Sequence, residues 1–204
     1  MIAFKYSKLH GAEFISHLDT LRHLNKTFAR AGFKVKMSQG FHPHMLVYMS
    51  SPIGVGQKSL AEYCTVEVDL TPEEFIERFN ENSPKGIKCI AAYQTDKNPN
   101  FAAVITCARY YIEGLNEFSI DEVLSFEEFF ITDKNSNKKN VREKIFSIEK
   151  RGQGIVAVLA AGNSALRADA FANTLAEAYG GDEIEIIKEE SFLSFGVSID
   201  TLFE

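Results

Sequence analysis

The sequence has no tryptophan, only three cysteines, and no apolar run long enough to cross a bilayer. The missing tryptophan excludes nothing by itself. Cys64, Cys89 and Cys107 are too few and too widely spaced for a zinc ribbon, a disulfide framework or an iron–sulfur cluster. The opening Met-Ile-Ala-Phe-Lys-Tyr does not read as a signal peptide, so the expected compartment is the cytoplasm, with no membrane contact. No glycine spacing matches a P-loop or a dinucleotide fingerprint, so no cofactor is expected. Ser16 and Ser38 have histidines in the same stretch but no third orienting group, which argues against a hydrolase triad.

What is present is an ordinary globular composition, 45% apolar and 25% charged over 204 residues, enough for one large domain or two small ones. The net charge of −6 conceals an asymmetry. Residues 1–50 hold seven Lys/Arg against two Asp/Glu, whereas residues 51–204 hold fifteen against twenty-six. A pI near 5.5 speaks against indiscriminate nucleic-acid binding, while a local basic face remains compatible with a specific polyanion site. The plainer reading of those lysines and arginines is a solvated outer surface.

The distinctive chemistry lies in residues 16–56. Ser16, with Asp19 three residues on, marks a helix start. Leu18, Leu21, Leu24 and Phe28 follow at helical spacing as a core stripe, and Arg22, Lys26 and Arg30 run along one side. Gly32 closes the helix. Phe33, Val35 and Met37 alternate with Lys34 and Lys36 as a half-buried strand would. Ser38-Gln39-Gly40-Phe41-His42-Pro43-His44 is a turn, Met45–Met49 an apolar strand, and Pro52, Gly54 and Gly56 hold the loop beyond it.

The elements through residue 95 read strand, helix, strand, strand, helix, strand. Thr71-Pro72-Glu73-Glu74 gives a helix start, and strands are expected over 61–70 and 87–93. The polar stretch Thr95–Asn100 is a boundary, and the order then loosely repeats. Strands are expected over 103–112, 130–132, 141–149, 154–160 and 184–187. Helices are expected from Ser119 to about Phe129 and over 168–179, with a polar tip over 133–140. The expected fold is α+β: two ferredoxin-like βαββαβ sandwiches in tandem, antiparallel sheets with helices on one face, over 1–95 and, more degenerate, 101–204. Paired halves of this kind also build the CRISPR repeat-RNA endoribonucleases, a likeness of fold alone.

SHLD..R, the Arg30-Ala31-Gly32 helix end, SQGF.PH and P.GVG together resemble the signature of the bacterial radical SAM-linked proteins, a domain found alone or fused behind a radical SAM enzyme. The resemblance is dense over residues 1–70 and thins towards residue 190. This chain has His42 where that family usually has Asn, and Met45 where it has a second Pro. Arg167 stands at its Arg-Pro-Asp turn, with Ala168 in place of the proline. The resemblance implies a radical SAM enzyme as partner. With no cysteine trio, the chain would be the linked partner and not the radical enzyme.

Candidate binding residues follow from the motif. Ser16 and Asp19 cap the helix, and His17 with Arg22 would donate to an anion at its N-terminus. Gln39, Gly40 and His44 line the turn, and Gly54 permits close backbone approach to a ligand. His42 and His44 with His17 and Asp19 could form a two-His–carboxylate metal set, but the resemblance retains only His44 of the pair, so no metal is expected. The favoured function is a non-catalytic accessory module binding RNA, or a phosphate-bearing substrate, at the helix start. The alternatives are a metal-independent RNA-processing enzyme with His17 and His44 as acid and base, and a protein–protein adaptor.

Overall fold

The computed structural model describes residues 1–132 and 137–204. They form a mixed α/β protein in which antiparallel strand pairing supplies the framework and helices are few. The chain divides into two compact units, Met1–Val104 with Ile199–Glu204, and Ile105–Ser198.

The first unit runs β1 (Ile2–Lys8), α1 (His17–Arg30), β2 (Val47–Met49), β3 (Lys58–Val66), α2 (Pro72–Asn82), β4 (Cys89–Gln94) and the short α3 (Phe101–Val104). Its strands lie in the order β4–β1–β3–β2, every neighbouring pair antiparallel. Ile2, Phe4 and Tyr6 alternate onto one sheet face, and both long helices bury their apolar stripes there. Phe4 sits at the centre, its ring centroid 6.2 Å from Phe28, 4.9 Å from Phe75 and 5.5 Å from Phe79. α1 begins at an N-cap, Ser16, and α2 at a full capping box between Thr71 and Glu74. Past α1, Gly32 has φ 67°, the left-handed conformation that ends helices. Arg78 donates to the freed Ala31 carbonyl at 2.6 Å.

Three expectations fail in this unit. Leu18 is 63% exposed, because at 100° per residue it lies well off the face on which Thr20, Leu24, Thr27 and Phe28 are buried. Residues 33–37 form no strand, although Phe33 and Val35 are buried. Phe33 N–H returns to the Phe28 carbonyl and Lys36 N–H goes to Glu67, and pairing across the turn is limited to the isolated Met37–Met45 bridge, beside which Leu46 N–H donates to the Lys36 carbonyl. The boundary also shifts. Phe101 packs 5.1 Å from Tyr63, Phe203 stacks on Tyr93 at 4.3 Å, and Tyr93 donates its hydroxyl proton to Asp200 at 2.7 Å. Residues 96–104 and the last six residues therefore belong to the first unit.

The second unit runs β5 (Cys107–Leu115), α4 (Ile120–Ser125), β6 (Phe130–Thr132), β7 (Lys138–Asn140), β8 (Ile145–Arg151), β9 (Gly154–Ala160), α5 (Ala168–Tyr179), β10 (Gly181–Ser194) and β11 (Val197–Ser198). The order is β10–β5–β9–β8, again antiparallel throughout. β11 lies on β10, and β6–β7 forms a separate hairpin. α5 presents Ala168, Phe171, Ala172 and Leu175 as its buried stripe, with Phe171 5.6 Å from Phe129. α4 stops at its C-cap Phe126, short of Phe129, and β10 extends far beyond 184–187. Of the polar tip over 133–140, residues 133–136 lie outside the described residues. Among the described residues no helix is long and apolar enough to cross a membrane.

Candidate functional site

At the start of α1 the Ser16 hydroxyl oxygen accepts from Asp19 N–H at 3.1 Å and donates its proton to the Asp19 carboxylate at 2.7 Å. Arg22 donates to the other Asp19 oxygen at 2.8 Å. The Ser16 hydrogen bond, followed by that of Arg22, holds the Asp19 carboxyl below its ordinary range. His17 is half-buried. The chain just before the helix is tied down on both sides. The Lys8 amine donates to the Ile15 carbonyl at 2.8 Å, and Gly56 N–H donates to Glu13 at 2.8 Å. That second bond seats the Pro52–Gly56 loop beside the helix start. A Cβ on Gly54 would stand 2.7 Å from Nε2 of the Gln57 side chain, which would have to shift to admit it. Around this polar triad Phe14 is 69%, Leu18 63% and Val55 63% exposed.

The turn over residues 38–44 is braced by its own ends. Ser38 N–H donates to the His44 carbonyl at 2.7 Å, and His44 N–H donates to the Ser38 hydroxyl at 3.0 Å. The same hydroxyl lies 2.8 Å from His44 Nδ1. Ser38 Oγ donates to Nδ1 or accepts from it according to the tautomer of the His44 ring. Gly40 has φ 119°, a conformation that disfavours a side chain. Phe41 follows at 102% relative exposure, with Gln39, His42 and His44 exposed around it.

Strand register decides which of these residues meet. Lys8 pairs with Ser59 at the end where α1 begins, and Ile2 pairs with Val66 at the other. Val66 also faces Val47, and Lys36 N–H reaches Glu67, so the 38–44 turn leaves the sheet at that second end. Seven strand steps between Ser59 and Val66 amount to about 20 Å. Ser16, His17, Asp19, Arg22 and Gly54 thus gather at one end of the first unit, and Gln39, Gly40 and His44 at the other. His17 and His44 are therefore not brought together by the register. The histidines and Asp19 do not converge on a metal either: among the described residues no group of three or more His, Cys, Asp or Glu could hold one.

The basic stretch is also largely committed. Lys36 pairs with Glu67 at 2.9 Å, and Arg30 donates to the Asn82 carbonyl at 2.7 and 3.0 Å. Phe41, Phe14 and Val55 were absent from the sequence candidates. Only Phe41 carried a signal, as the aromatic within the glycine–histidine turn.

Over residues 2–169 the chain matches the family described as an uncharacterized protein conserved in bacteria (DUF2344), and it belongs to that family. No curated protein matches it.

Proposed function

We propose that the protein is a non-catalytic recognition module that holds unpaired RNA for a radical SAM enzyme. The observation that carries this reading is Phe41, a fully exposed aromatic at the tip of a turn closed at its base by Ser38 and His44. An aromatic ring held out on a braced turn costs little further ordering when a base stacks on it. His42, His44 and Gln39 beside it supply hydrogen-bonding groups for base edges or phosphate. The committed lysines and arginines leave few cations for the backbone, which suits contact with one or two phosphates better than a long groove. The separation of His17 from His44 supports a binding role over acid–base cleavage of RNA.

The strand orders β4–β1–β3–β2 and β10–β5–β9–β8, each with a helix before its second and last strands, support reading the two units as tandem ferredoxin-like halves. The start of α1 favours a second, compatible role. Phe14, Leu18 and Val55 expose apolar surface beside the Ser16–Asp19–Arg22 network, the mixture of apolar and polar groups that a protein-docking patch offers. The radical SAM enzyme is the partner proposed for it, on the resemblance of the SHLD..R and SQGF.PH motifs.

Titrating the full chain into fluorescently labelled unstructured RNA and into a duplex of the same length, at low salt, tests the first reading by anisotropy. The expected result is saturable binding of the single strand, with a shallow salt dependence of about one or two charges. Equal affinity for the duplex, or no binding at low salt, would remove the proposal.

A further inference from the structure

The second unit holds a cleft of about 600 Å³ between the β6–β7 hairpin and the flank of α5. That size lies within the range of roughly 300–1,000 Å³ usual for small-molecule sites. Ala170, Asn173, Thr174 and Glu177 form one wall, a stripe at helical spacing beside the stripe that α5 buries in the core. Lys139, Lys144 and Arg167 also line the cleft. The three cations face two carboxylates, Asp169 and Glu177, in a chain whose net charge is −6. Asp169 is already engaged. It takes a two-bond fork from Arg167, Nε to Oδ1 at 3.0 Å and Nη2 to Oδ2, and accepts Ala170 N–H at 2.9 Å. The fork fixes the guanidinium at the start of α5 while leaving its Nη1 donors to spare.

We infer that this cleft binds a small phosphorylated molecule of the size and polarity of a nucleoside monophosphate. Lys144, Lys139 and Arg167 form the phosphate end. A bare phosphate would leave most of the volume empty, so the ligand has an organic body. Ile131, Val141 and Ala170 offer that body apolar contact, and Asn173 with Glu177 offers amide and carboxylate partners for amino or hydroxyl groups. None of this depends on Phe41 or on RNA binding by the first unit.

The test is an amide NMR titration of the full-length protein with AMP, and in parallel with adenosine and with inorganic phosphate. AMP is expected to shift Asn173, Thr174 and Lys139, and each half-ligand to bind at least about tenfold more weakly, since either lacks one end of the contact set. Lys144→Glu is expected to weaken AMP binding about tenfold by reversing one charge at the phosphate end. Phe41→Ala is expected to leave it unchanged. AMP shifts confined to residues outside the cleft, or a Lys144→Glu protein that binds AMP as the wild type does, would overturn the inference. The wild-type shift map decides the matter even if that variant folds poorly.

Discussion

Replacing Phe41 by alanine separates a binding role from a structural one. At 102% relative exposure the ring loses no accessible surface on folding, so it contributes no burial energy at the usual ~25 cal/mol per Å². Its removal should therefore change stability by less than about 0.5 kcal/mol, the usual effect of a surface substitution. Phe28, fully buried against Phe4, Phe75 and Phe79, provides the contrast. Phe28→Ala should cost about 3–5 kcal/mol. A base stacked on an aromatic side chain is worth about 1–3 kcal/mol, which is a loss of roughly five- to 150-fold in RNA affinity for Phe41→Ala. Ser38→Ala should weaken binding by less, because it loosens the turn without removing the ring. Thermal denaturation and anisotropy with labelled single-stranded RNA read the two quantities on the same samples. Unchanged affinity in Phe41→Ala, or a loss of thermal stability comparable with that of Phe28→Ala, would refute the reasoning.

Gly86→Ala should destabilise the first unit by about 2–4 kcal/mol, measured by urea unfolding, since a Cβ there would stand 2.0 Å from the Leu9 carbonyl and disrupt the Leu9–Gly86 backbone bond. The Asp19 carboxyl titrates below its ordinary range, so its stabilising effect is complete above the unfolded-state value near 4 and disappears as pH falls through the lower folded value. The stability gap between wild type and Asp19→Asn should accordingly be present at neutral pH and close in strong acid. Burial raises all three thiols, Cys64 most and Cys89 to about 12. A thiol-reactive disulfide reagent at mildly alkaline pH should label none of them in the native protein and all three after unfolding; rapid native labelling would contradict their burial.

Much of the local structure was legible because its causes lie within a few residues of one another. Ser16 and Asp19, or Thr71, Pro72 and Glu74, satisfy a helix end from side chains three positions apart. Gly180 closes α5 where no other residue adopts φ 87° as readily. The spacing of Leu24 and Phe28 likewise assigned both to the core of the first unit. The same reasoning misplaced Leu18, which stands off the face that Thr20, Leu24, Thr27 and Phe28 bury.

By itself, then, the sequence determined where the long helices start, the course of several strands, and which motifs are unusual. Tertiary structure alone decided which motif residues stand together. Two stretches forty residues apart may meet or lie about 20 Å apart, depending on which strand ends coincide. The pairings of Lys8 with Ser59 and of Val47 with Val66 set the loop of Gly54 at the sheet end where α1 begins and the 38–44 turn at the other. Register is fixed by the summed packing of two whole faces, and no short window of residues contains that sum.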